Sequence, residues 1–134
     1  MTRFEEIAPG TELPPLQKDP ITRVQLARYA GASSDYNPIH LDEPYAQAAG
    51  MGGVIAHGML SMAFLGQLAT DWAGPASVLR LEARFRSIVR PGDVLTVRGT
   101  VTEKDDAART VHVRLWCENQ EGTTVTEGGA LLRW

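Results

Sequence analysis

Residues 59–72 hold the feature that most restricts how this chain can fold: a helix-length segment that is apolar around most of its circumference. Leu60, Met62, Ala63, Phe64, Leu65, Leu68 and Ala69 are not confined to one stripe, so a helix here has to be buried on nearly all sides. Gly74-Pro75 ends it. From residue 76 onward the period drops to two. Leu79, Leu81, Ala83 and Phe85 alternate with Arg80, Glu82, Arg84 and Arg86, and Val111, Val113, Leu115 and Cys117 alternate with Thr110, His112, Arg114 and Trp116. Further strands are predicted over 94–103 and 123–134, with turns at Pro91-Gly92-Asp93, Asp105-Asp106 and Glu121-Gly122. Hairpin-length spacing predicts that successive strands are antiparallel neighbours. Helices first and strands afterward is the α+β pattern, and an antiparallel sheet wrapped around one apolar helix satisfies these counts.

The first half is helical and punctuated. Four prolines within residues 1–20 leave at most a short strand near 11–17. Thr22, three residues before Gln25, resembles a capping box and opens a helix that Gly31 and Ser33-Ser34 close. Asp42 is a plausible N-cap for a short helix that ends at Gly50. At 134 residues the chain is the size of one domain, read as residues 1–134. A net charge of −3, with lysines and arginines scattered among the acids, gives no footprint for nucleic acid or an anionic membrane surface. The start of the chain lacks a secretory pattern and no stretch approaches a membrane span, which predicts a cytoplasmic protein. One cysteine, Cys117, excludes an internal disulfide and is read as a buried strand residue.

The chemistry lies between the helices. In Asp35-Tyr36-Asn37-Pro38-Ile39-His40 a proline stands between a carboxylate and an imidazole, so the pair belongs to a fixed turn and not to one helix face. Histidine titrates near ~6.5 and a carboxylate beside it can be tuned by burial, which suits proton transfer at neutral pH. Asn37 can orient either partner or a substrate amide. A turn-forming Asp and a loop His would explain the same residues without chemistry. The second element shifts that balance: His57-Gly58 stands at the start of the apolar helix, where backbone N–H groups lack partners and glycine lets a ligand approach. Such a donor can stabilise an enolate oxygen; relief of crowding between helix and sheet would equally call for glycine. Third, Arg84-Phe85-Arg86 offers cations for the phosphates of a large substrate, or simply a solvated strand face. The spacing of Asp35, His40, Asp42 and His57 is a poor match to zinc sites, Ser61 lacks a nucleophile elbow, and the glycines at 50–53 lack the context of a nucleotide loop.

Tyr29-Ala30-Gly31-Ala32-Ser33-Ser34-Asp35-Tyr36-Asn37-Pro38-Ile39-His40-Leu41-Asp42 resembles the signature of MaoC-like (R)-specific enoyl-CoA hydratases and 3-hydroxyacyl-thioester dehydratases. Ile55-Ala56-His57-Gly58-Met59 resembles that family's second block, and Arg84-Phe85 with Pro91-Gly92-Asp93-Val94 its third. The resemblance implies a hot-dog fold, with the long helix as filling and the sheet as wrap, assembled as a dimer joined sheet edge to sheet edge. It implies a trans-2-enoyl thioester substrate on CoA or acyl carrier protein, hydrated reversibly to the (R)-3-hydroxyacyl form. Asp35 and His40 would hold the reacting water, with His40 as base and Asp35 delivering a proton to C2. Gly58 N–H would bind the thioester oxygen. Asn37, His57 and Arg84 would serve substrate binding, and Met62, Phe64, Leu65 and Gly66 would line or back an acyl tunnel. No redox cofactor or metal is called for. The resemblance extends to dehydratases that pair with a different subunit, which leaves a heteromer or a non-catalytic partner subunit as alternatives to a homodimer. A hot-dog thioesterase would place a carboxylate on the central helix, and none stands between 59 and 70.

Overall fold

The computed structural model describes residues 2–134. Among these residues the elements run β1 (Glu12–Gln17), α1 (Arg23–Ser33), α2 (Glu43–Ala48), α3 (Gly58–Ala73), β2 (Val78–Phe85), β3 (Thr96–Asp105), β4 (Thr110–Glu118) and β5 (Thr124–Arg133). The caps expected from sequence form. Thr22 Oγ1 accepts the Gln25 N–H at 3.0 Å to start α1, and Asp42 Oδ1 accepts the Tyr45 N–H at 3.0 Å to start α2. Ser34 ends α1 in the left-handed region at φ 61°.

The strands build one antiparallel sheet in the order β1-β3-β4-β5-β2, and α3 packs against every strand in it. Leu65, Val97, Val111, Leu115, Cys117, Val125 and Leu132 are fully buried at the helix–sheet boundary. Burial pushes the Cys117 thiol up to about 12, as a strand residue sealed in the core should be. The sheet closes tightly on itself. A Cβ at Gly128 would fall 1.9 Å from the Glu82 carbonyl oxygen, so β2 can lie this close to β5 only because that position is glycine. No helix among the described residues is long and apolar enough to cross a membrane.

Two expectations need correction. Hairpin spacing predicted β2 and β3 as neighbours, but β2 pairs with β5 at one edge while β3 lies beside β1 near the other. The segment around Pro91-Gly92-Asp93 is a crossing and not a hairpin. It leaves β5 at the Arg86 N–H···Val125 bond, meets Ala56 through the Val89 carbonyl at 2.7 Å, and reaches Ile21 through the Asp93 carbonyl at 2.9 Å. Each contact satisfies a backbone group that a hairpin would have paired within the sheet. The second correction concerns α3. Its buried residues are Leu60, Ser61, Phe64, Leu65, Leu68, Ala69, Trp72 and Ala73, but Met59 is 54% exposed and Ala63 is exposed as well. A curved sheet covers only part of a helix's circumference, and within this chain an apolar stripe of α3 stays open.

Candidate active site

The turn after α1 is built by its own side chains. Ser33 Oγ donates to the Tyr29 carbonyl at 2.7 Å and accepts from the Asp35 N–H at 3.3 Å. Asp35 Oδ1 accepts from the Asn37 N–H at 3.3 Å, and Asn37 Oδ1 accepts from the Ile39 N–H at 3.2 Å. Asn37 thereby caps the single 3-10 turn Pro38–His40, with Pro38 at its first position. Its side-chain oxygen is committed to the turn, so Asn37 supports the constellation by holding Asp35 and His40 at fixed separation.

His40 is buried, and its Nδ1–H donates to the Ile55 carbonyl at 2.7 Å. A carbonyl can only accept, so the neutral ring carries its lone pair on Nε2. That nitrogen faces Asp35 Oδ2 at 3.8 Å, and the Asp35 carboxylate is half exposed. The gap is too long for a direct hydrogen bond, while a water placed ~2.8 Å from both atoms would bridge it.

His57 lies behind this pair. Its Nε2–H donates to the Asp35 backbone carbonyl at 3.1 Å, and its ring stacks on His40 with centroids 3.8 Å apart and planes 24° from parallel. Tyr29 meets its other side edge-on at 4.8 Å. The ring is 3% exposed and Nδ1 is sealed without a hydrogen-bond partner. Burial, with His40 adding to it, holds the His57 pKa below the usual histidine value, against the opposing pull of Asp35. With one nitrogen bonded and the other enclosed, His57 presents no polar atom to a substrate, contrary to the binding role expected for it.

Gly58 is the first residue of α3, where N–H groups have no intrahelical acceptor. A cleft of about 340 Å³ opens here, lined by His40, His57, Gly58, Ser61, Phe85 and Val89 among others. The Phe85 ring lies over Gly58, and an added Cβ there would come within 3.1 Å of it. Glycine at 58 therefore serves both access and crowding. Ser61 Oγ donates to the Gly58 carbonyl at 2.8 Å and meets Thr126 Oγ1 at 2.6 Å, tying the start of α3 to β5. Nothing in the sequence marked Thr126 for this place, and Phe85 entered as an alternating strand residue and as the neighbour of Arg84 in the third motif, not as a ring over Gly58.

Arg84 is not brought to the cleft. Leu81 and Phe85 reach α3 at Gly66 and Gly58, so Arg84 projects from the opposite face of β2, in register with Glu127. Arg86 reaches the cleft rim and binds the Glu127 carboxylate. The groove between β1 and α1 is larger, about 710 Å³, but brings no imidazole to its walls, so volume does not locate the chemistry. Asp35, His40 and His57 each bring a donor atom within 4.8 Å of the others, a spacing a cation could use. The stack opposes this, because parallel imidazoles aim their lone pairs in separate planes and do not converge on one ion.

An α3 wrapped by an antiparallel sheet, with the Asp35–His40 pair held close to its first residue by His57, defines a hot-dog protein. The chain belongs to the MaoC like domain family, whose model matches residues 4–123. It is 36% identical over 129 residues to a Rhodospirillum rubrum protein named (R)-specific enoyl-CoA hydratase, covering 95% of this chain and 88% of that one. It is 32% identical over 133 residues to a Methylorubrum extorquens 3-hydroxybutyryl-CoA dehydratase, covering 97% and 82%. Among solved structures, the (R)-hydratase of A. caviae involved in PHA biosynthesis superimposes with a TM-score of 0.85 at 27% identity, covering 96% of this chain and 98% of that one.

Proposed function

We propose that this chain is a hydro-lyase that reversibly hydrates trans-2-enoyl thioesters to (R)-3-hydroxyacyl thioesters, with CoA the first carrier to test and acyl carrier protein the second. The observation that carries this reading is the 3.8 Å gap between Asp35 Oδ2 and His40 Nε2, open to one water beside the N-terminus of α3. His40 Nε2 takes a proton from that water as its oxygen bonds C3. Gly58 N–H receives the thioester oxygen as charge moves onto it, and the Asp35 carboxylate passes the proton from His40 to C2. Both groups then stand in their starting forms, a carboxylate and a neutral imidazole. The (R) hand rests on the names of the relatives, and the chemistry asks for no resident metal or redox cofactor.

The functional unit is read as a homodimer. β2 is an edge strand on which Leu79 and Phe85 are exposed, and α3 leaves Met59 exposed as well. An edge of this kind is completed by pairing with another strand.

The test is loss of enoyl absorbance from crotonyl-CoA, compared among wild type, Asp35→Asn and His40→Gln. Both variants should fold and lose on the order of 10²–10⁴ in rate, the scale of general acid–base catalysis. Full activity in either variant removes the mechanism. A wild type inert toward short and long CoA thioesters and carrier-borne substrates would instead favour a non-catalytic or partner subunit.

A further inference from the structure

The proposed chemistry leaves His57 without a part, yet its ring touches both members of the pair. Its Nε2–H holds the backbone carbonyl of Asp35 at 3.1 Å, and its face holds the His40 ring at 3.8 Å between centroids. We infer that His57 is a positioning residue: a neutral imidazole that fixes Asp35 through one hydrogen bond and His40 through one stacked face, and so sets the gap that the reacting water occupies. This rests on the reading of the cleft as a hydratase site.

Three features support it. First, the tautomer is determined, because the Asp35 carbonyl can only accept and Nε2 must carry the proton. Second, a further proton would have to sit on Nδ1, which is enclosed and meets no acceptor, so the charged form would be buried without compensation. Third, His40 has to become positive during each turnover, and a stacked neighbour that is already charged would oppose that step. The titratable groups around His57 are Tyr29 on α1 and Asp35 and His40 on the turn; the first turn of α3 carries no acid. The lowered pKa of His57 agrees with a ring that stays neutral while its neighbour titrates.

The role separates into two parts that substitutions can isolate. His57→Phe keeps a ring to stack and loses the donor. His57→Gln keeps an N–H donor and loses the ring, and His57→Ala loses both. With crotonyl-CoA, kcat should fall in His57→Phe and His57→Gln and fall furthest, about 10²-fold, in His57→Ala, the scale of a misplaced catalytic group. KM should stay within a few-fold throughout. Nitrogen NMR of the wild-type protein supplies a readout that needs no turnover and no variant: His57 should show a neutral ring with the proton on Nε2 at pH 8, and should take up a second proton only below the ordinary histidine value. A His57 that titrates at or above the ordinary histidine value, or the opposite tautomer, overturns the inference. So does wild-type kcat in His57→Ala, or a KM that rises while kcat holds, which would return His57 to substrate binding. A wild type inactive on enoyl thioesters defeats the hydratase reading, whereas the NMR result bears on His57 alone.

Discussion

At the scale of single residues, the site is a case of two histidines in contact doing different things because their hydrogen bonds differ. His40 gives its Nδ1–H to Ile55 and turns Nε2 toward the Asp35 carboxylate; His57 gives its Nε2–H to Asp35 and encloses Nδ1. The second arrangement has a consequence for stability. Unfolded, His57 takes up a proton near ~6.5; folded, its pKa is lower, so below that pH the unfolded chain binds a proton that the folded chain refuses. Stability should therefore fall as pH drops from about 6.5 toward the folded value, and His57→Gln should flatten that part of the curve. Melting temperatures taken every half unit from pH 8 to 5 test this. Glu43 and Glu127 act in a separate window. Their pKa values are lowered, that of Glu43 chiefly by the Val54 N–H and that of Glu127 chiefly by Arg86, so the stability they contribute is present above about 4.5 and lost in more acid solution. The motif residues Asp35, Asn37, His40 and Gly58 were legible because Pro38 fixes the turn that carries the first three, and glycine opens the backbone at the start of the apolar helix. The role of His57 was not, since it depends on a ring stacking across seventeen residues of chain.

At the scale of elements, the site depends on how α3 is seated against β5. Ser61 and Thr126, both buried, share a 2.6 Å hydrogen bond that spans helix and strand. Removing one partner leaves the other without it in a dry setting. Ser61→Ala or Thr126→Val should each cost about 1–3 kcal/mol in urea unfolding. The double variant should cost less than the two combined, because neither group is then left unpaired. Additive losses would mean that the hydroxyls act independently. Helix boundaries read well from sequence because caps are local: Thr22, Asp42 and Gly74 each lie within a residue of the end they mark. Strand order read only in part: β3 pairs with β4 and β4 with β5 as the hairpin spacing predicts, but β2 does not pair with β3. The segment between β2 and β3 has the length and turn residues of a hairpin, yet its backbone groups bond Ala56, Ile21 and Val125, partners that exist only once the helices are in place.

At the scale of the whole molecule, the question is what covers the surface this chain leaves open. Phe85 is 52% exposed although its ring lies on Gly58, and Met59, the next residue of α3, is exposed as well. Apolar groups gathered on an edge strand next to a reaction cleft favour association over exposure. Light scattering at micromolar concentration should give twice the 14.6 kDa mass of one chain. Leu79→Lys on β2 should shift that mass toward the monomer while circular dichroism is unchanged. A wild type that stays monomeric alone, and pairs only with a related subunit, would turn the homodimer into a heteromer.

The sequence by itself determined what local chemistry can encode: an α3 too apolar to stand in solvent, strands of period two, capped helix ends, and an acid and a base held apart by proline. Those features are set by neighbours within a few residues, so they survive reading in one dimension. Only the tertiary structure decided that β2 joins β5, that Arg84 turns away from the cleft, and that His57 lies beneath His40. Each of these depends on contacts between segments far apart in the chain, where packing and the pairing of buried polar groups choose among arrangements that the local pattern permits equally.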